Sequence, residues 1–294
     1  MQSSYDAQLL HLVALLDDPD PFVQAHIFKR LQEGGVLWCQ ALQQLAQEAD
    51  DASHREALLQ AVHKLESTRY LTQLEQWIAD PKDNLLMGLY LVQCSVSPTT
   101  SYAQLESQLM DGVNEVCTEL RDDQTMMEQV QLFNHLFYRR MGYKPSDPFI
   151  QDEAFALMDK LFESRKGNPI TLGLIYVMMA YYAGVPIRTV VFKGGFLPTV
   201  VDKDGTSVFY VNIFKNGSLF AAAQLDQFIK DSGLPIPADS FREATPVDLA
   251  QIFAESLYFL YSTKENKEKE ARMEDVMRRF GSSMNLIMEE DEDE

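Results

Sequence analysis

Residues 165–187 read RKGNPITLGLIYVMMAYYAGVPI, and this stretch decides the architecture. Asn168 is a strong N-cap residue, and Pro169 suits the first helical position because it has no backbone N–H to leave unpaired. Gly184-Val185-Pro186 stops the helix. Between them lie Ile170, Leu172, Leu174, Ile175, Val177, Met178 and Met179, which leave no polar face. A helix apolar all round belongs inside a domain. Gly167 to Ile187 carries no charge, so a membrane span has to be weighed. A helix of about 15 residues reaches only about 22 Å at 1.5 Å per residue. That is short of a hydrocarbon core of about 30 Å. The reading is a buried central helix.

C-terminal to it the pattern changes to β. Ile187 to Phe192, Phe196 to Val201 and Val208 to Phe214 are rich in β-branched and aromatic residues, and Asp202-Lys203-Asp204-Gly205 reads as a hairpin turn. A buried helix backed by an antiparallel sheet is an α+β architecture. Asp231 to Asp239, with Gly233, Pro235 and Pro237, reads as a loop. Thr245-Pro246 then caps a helical hairpin with arms Asp248 to Tyr261 and Ala271 to Phe280. Its aromatics (Phe253, Tyr258, Phe259, Tyr261) read as packing rather than a ligand cage.

N-terminal to the central helix the chain reads as helices. Leu9, Leu10, Val13, Leu15 and Leu16 form an apolar stripe, which Asp17 to Pro21 breaks. Phe22 to Leu31 resumes helical periodicity. The string LLDDPDPFVQAHIFKRL resembles a HEAT repeat, and a plain helical bundle is an equal alternative. Ala57 to Leu65, Leu71 to Ile78 and Leu85 to Cys94 continue as helices. So do Leu105 to Val113, Met126 to Met141 and Phe155 to Phe162. Gly142 to Pro145 is a loop.

Composition excludes several function classes. Against 25 Lys and Arg stand 44 Asp and Glu, for a net charge of −19. Such a surface repels nucleic-acid phosphates and anionic membranes. Glu289 to Glu294, EEDEDE, reads as a disordered acidic tail or a docking sequence for a basic partner. The three cysteines show no metal or disulfide spacing, and Cys39 and Cys94 fit buried helical positions. With no signal-peptide pattern at the N-terminus, the expected setting is a reducing cytoplasm. His11, His26, His54 and His63 are scattered, so neither a metal nor another cofactor is expected.

The central string looks like the signature of the SirB-type transglutaminase-like family, in which R-K-G-x-P-I-S-L opens the buried helix and G-x-P closes it. Three further patches follow the same order. Phe133-Asn134-His135-Leu136-Phe137 with Gly142-Tyr143 resembles the family's F-N-x-x-L-F and G-F. Gly194-Gly195-Phe196-Leu197 stands where the family has G-H-F-L. Tyr210 to Phe214 with Asn216-Gly217 stands where it has I-D-P-F and N-G-G. The resemblance covers about residues 100 to 235. It implies a transglutaminase-like core over 99–240, and the residue reading sets beside it a helical HEAT-like region over 1–98, a helical hairpin over 241–288 and an acidic tail over 289–294.

The wider fold resembles papain-type hydrolases, with a Cys at the start of the buried helix, a His on the adjacent strand and an Asp on the next. A helix N-terminus lowers a thiol pKa, and the carboxylate orients the imidazole. Carried over, these positions fall at Pro169, Gly195 and Asn212. No Cys follows Cys117 and no His follows His135. Thr171 has no base in its neighbouring sequence, and its hydroxyl is expected to bond back to the helix backbone. Cys117 and His135 could pair only if their helices meet. Glu153, Asp159 and Glu163 read as a solvated face, and Gly194-Gly195 lacks the helix and Lys of a phosphate loop.

The resulting expectation is a catalytically inactive transglutaminase-like protein that binds a protein partner as scaffold or regulator. The alternative is a small-molecule or peptide binder using the vestigial cleft, with Arg165, Asn168, Thr171, Phe196, Asn212 and Phe214 as candidates. A cysteine-dependent hydrolase or acyltransferase ranks third.

Overall fold

The computed structural model describes residues 7–82, 84–147, 151–192, 195–221, 224–225, 227 and 241–281. The chain divides into two compact units, Met1–Gln73 and Leu74–Glu294. The sequence reading drew its first boundary at 98/99. The acidic run 289–294 and the Asp231 to Asp239 loop lie outside the described residues.

The first unit holds α1 (Ala7–Val13), α2 (Pro21–Glu33), α3 (Gly35–Glu48) and most of α4 (Ala52–Ala79). The Asp20 carboxylate caps α2 by accepting from Phe22 N–H at 2.9 Å, with Pro21 at the first helical position. Leu9, Ile27, Leu31, Leu42 and Leu58 form its core. Two helical stretches expected at 57–65 and 71–78 are one helix, because Glu66 to Tyr70 contains no Gly or Pro to break it.

The second unit begins with α5 (Leu85–Cys94), α6 (Tyr102–Glu119) and α7 (Met126–Asn134), which runs on as a π-helical turn, His135–Arg140. Then come β1 (Lys144–Pro145), α8 (Glu153–Ala156), α9 (Met158–Ser164), β2 (Lys166–Gly167) and the central helix α10 (Pro169–Tyr182). The sheet strands are β3 (Ile187–Phe192), β4 (Gly195–Val201), β5 (Ser207–Asn212), β6 (Ser218–Ala221) and β7 (Arg242–Glu243), antiparallel in the order β6-β5-β4-β3-β7. The helices α11 (Pro246–Thr263) and α12 (Lys267–Arg279) follow. The fold is α+β, and α10 is its buried centre: every residue from Thr171 to Ala180 is buried. No described helix is long and apolar enough to cross a membrane.

Three local departures from the sequence reading have physical causes. The Phe155 to Phe162 helix is two helices, because Leu157 is extended between them. A buried side chain from α5 caps the second one. Gln93 Oε1 accepts from Met158 N–H at 2.8 Å, and its amide donates to Asp159 Oδ1 at 2.6 Å and Thr100 Oγ1 at 3.0 Å. Asp159 is therefore tied down rather than solvated, and Glu153 takes Lys269 at 2.6 Å, whereas Glu163 pairs with Lys160 at the surface. The third strand ends at Asn212, and Ile213–Lys215 is a 3₁₀ turn.

The capping box at α11 is built as Thr245-Pro246 suggests: Thr245 N–H donates to Asp248 Oδ2 and Asp248 N–H to Thr245 Oγ1. Arg242 on β7 grips the same carboxylate in a fork, at 2.6 and 2.5 Å. The fork and cap hold the Asp248 carboxyl down to about 2, against an ordinary value of 3.8. A carboxyl depressed by folding stabilises above its unfolded pKa, and that contribution fades as pH falls toward the folded one. Asp248→Asn is expected to cost about 1 kcal/mol at pH 7. Thermal melts should show the gap from the unsubstituted chain closing between about pH 4 and pH 2. A gap that stays constant over that range would count against the fork.

Candidate functional site

The start of α10 is assembled from neighbouring loops. Asn168 Oδ1 accepts from Thr171 N–H at 2.8 Å, completing the N-cap, and Asn168 N–H donates to the Phe155 carbonyl at 2.7 Å. Pro169 follows as the first helical residue. Thr171 is fully buried, and its hydroxyl donates to the Ala156 carbonyl at 2.7 Å. That corrects the expected bond to its own helix: the hydroxyl ties α8 to α10 instead. Pro169, onto which the resemblance carries a nucleophile, is thus the first helical residue, and the nearby Thr171 hydroxyl is engaged.

Arg165 closes α9 in the left-handed region, with φ 59°. Its guanidinium lies over the Tyr143 ring at 4.7 Å and donates to the Tyr143 hydroxyl. Tyr143 stacks on Phe137 at 4.5 Å. Burial pushes the Tyr143 phenol up to about 12, with Arg165 pulling against it. Arg165 therefore braces the Gly142-Tyr143 segment.

On the sheet, strand parity decides where Gly195, Phe196 and Asn212 point. Phe192 pairs with Gly195, Val191 with Phe196 and Thr199 with Tyr210. Side chains alternate, so position 195 shares a face with Phe192, Leu197, Tyr210 and Asn212, while Phe196 points to the other. A Cβ on Gly195 would sit 2.9 Å from the tip of the Phe192 ring, so a side chain there would have to displace that ring. Phe192 belongs to a small cluster with Leu197, Tyr210, Phe220 and Phe241. Phe196 lies against the central helix, its ring 2.8 Å from where a Cβ on Gly173 would stand, beside Ile213. Asn212 is buried, and its Oδ1 accepts from Lys215 N–H at 3.1 Å, capping the 3₁₀ turn. Phe214 on that turn is 51 % exposed. Gly194 lies outside the described residues.

The structure thus gathers Asn168 and Thr171 at one end of α10, and Phe196 with Gly173 and Ile213 further along it. Arg165 is held on Tyr143. Cys117 and His135 are both exposed. Among the described residues no group of three or more His, Cys, Asp or Glu could hold a metal ion.

Asn134 carries a role that residue-by-residue reading missed. Its amide donates to the Gly217 carbonyl at 2.9 Å, and its Oδ1 accepts from the Tyr176 hydroxyl at 2.8 Å. One side chain joins α7, the turn after Asn212 and the central helix. The signal was the F-N-x-x-L-F string, but its meaning needs all three elements. Beside it the Tyr138 phenol is buried, and burial alone pushes its pKa well above the ordinary value.

The family model described as "Transglutaminase-like superfamily" matches residues 103–255. A UPF0162 protein of Xylella fastidiosa strain 9a5c is 27% identical over 147 residues, which are 47% of this chain and 50% of that protein. The chain therefore spans about half the length of that relative. A UPF0162 protein of Vibrio cholerae is 22% identical over 185 residues, 63% of this chain and 68% of its own. Protein SirB1 of Salmonella typhimurium is 23% identical over 197 residues, 67% and 70% of the two chains. No solved structure matches. A buried helix opened by Asn168-Pro169, an antiparallel sheet behind it and a matching family model over half the chain lead to one assignment: this chain belongs to the transglutaminase-like superfamily, and to its SirB-type members.

Proposed function

We propose that this protein is a non-catalytic member of its family that works by binding a protein partner, as a scaffold or regulator. The reading rests on carrying the family's triad onto Pro169, Gly195 and Asn212, and the observation that supports it is the Phe192 ring, which lies 2.9 Å from where a Cβ on Gly195 would stand. A thiolate and an imidazole, oriented by a carboxylate or an amide, are needed to run acyl transfer in this geometry. Asn212 could still orient an imidazole, but its oxygen already caps a turn. The vestigial-cleft alternative draws less support, because Phe196 packs directly onto α10 at Gly173.

The test is an assay of the full chain against a p-nitrophenyl ester, a glutamine peptide with hydroxylamine, and a thioester. Expected are rates equal to the buffer background, unchanged by iodoacetamide. Turnover that disappears in Cys117→Ser or His135→Ala would overturn the proposal and restore an enzyme with an unfamiliar site.

A further inference from the structure

In a chain of net charge −19, three neighbouring cations stand without a salt bridge among the described residues. The two-residue ladder that leads into α10 is parallel and sets Lys144 directly opposite Lys166. Like charges opposite one another on a ladder destabilise it. Arg165, whose carbonyl accepts from Lys144 N–H at 2.9 Å, adds a third positive charge beside them. Among the described residues, no carboxylate forms a salt bridge with any of the three. Elsewhere in the second unit most cations are matched: Arg140 with Glu115 and Glu119, Arg242 with Asp248, Lys269 with Glu153. Aromatic rings hold two of the three in place, Lys166 over Phe155 at 5.0 Å and Arg165 over Tyr143 at 4.7 Å. A ring face orients a cation without neutralising it.

We propose that Lys144 and Lys166 on this ladder, with Arg165 next to them in the chain, form a docking site for a short acidic segment of a partner protein. This rests on the binding-protein reading above and names the chemistry of the partner. Charge range decides the partner class. Screening at physiological salt confines the patch to about 8 Å, so a segment of a few carboxylates senses it locally. A nucleic acid or an anionic membrane would also face the acidic remainder of the surface and be repelled by it.

The experiment is fluorescence anisotropy of a labelled hexaglutamate peptide titrated with the full chain. Saturable binding is expected, weaker at about 300 mM than at about 50 mM NaCl. Lys144→Glu with Lys166→Glu should weaken it by about tenfold or more. Lys203→Glu, an exposed cation in the β4–β5 turn, should leave it unchanged. If circular dichroism shows the double reversal unfolded, Lys144→Gln with Lys166→Gln takes its place with a smaller loss expected. Absence of saturable binding, or equal losses for Lys203→Glu, would overturn the site. An oligonucleotide or a phosphatidylserine vesicle that binds through the two lysines while the peptide does not would overturn the partner class. Turnover in the assay above would instead sink the non-catalytic reading and leave these titrations unchanged.

Discussion

Tyr176→Ala is expected to lower stability by about 3–5 kcal/mol, enough to unfold much of the second unit. Tyr176 sits in the middle of α10 and is fully buried. Its ring meets Phe133 at 4.8 Å, Phe137 at 5.2 Å and Tyr138 at 6.0 Å. Truncation removes a large aromatic from a packed interior that cannot collapse around the hole, since each neighbour is itself a ring held by the others. The hydroxyl adds a separate contribution through Asn134 Oδ1. Tyr176→Phe keeps the ring and removes that bond, at an expected cost of about 1–2 kcal/mol. Urea titrations of both variants separate packing from hydrogen bonding. Equal losses would mean that the ring cluster contributes little, and the description of α10 as the packing centre would be wrong.

Gly217→Ala comes next, with an expected cost of about 2–4 kcal/mol. Gly217 has φ +75°, and an added Cβ would stand 2.4 Å from Asn134 Oδ1 and 2.6 Å from a Tyr138 ring carbon. Two penalties therefore combine, a left-handed backbone for an L-residue and a clash with groups fixed by the core. Gly205 separates them. It has φ +80° in the β4–β5 turn, where an added Cβ would meet only the end of Arg188 at 3.7 Å. Gly205→Ala should lose about 1 kcal/mol, the backbone penalty alone. Denaturation midpoints that match for the two glycine variants would show that the turn after Asn212 is not pinned by Asn134. Because that turn carries Phe214 and is capped by Asn212, loosening it should also disturb the placement of both side chains.

Much of the site was legible because its signals are local. Asn168 and Pro169 form a cap from adjacent residues, and Thr245 with Asp248 does the same. That no Cys follows Cys117 and no His follows His135 is a fact of sequence order alone. The α8–α9 break was not legible, because the group that caps α9 is Gln93, far away in the chain. The short strands β1, β2, β6 and β7 were missed as well. Two to four residues carry no usable periodicity, and such strands exist only where a partner strand supplies their hydrogen bonds.

The sequence by itself determined the buried helix, the α+β class and the family, since an uncharged helix with a cap at one end and Gly-x-Pro at the other has few places to go. It also determined that Pro, Gly and Asn stand at positions 169, 195 and 212, onto which the resemblance carries the triad. Tertiary structure alone decided what those positions face. Strand register turns Gly195 toward Phe192 and Phe196 toward Gly173, and a shift of one residue would exchange the two. It also decided that Asn134 would fasten three motifs together, and that Lys144 would stand opposite Lys166. Pairing and contact join residues distant in the chain, and no local pattern of side chains encodes them.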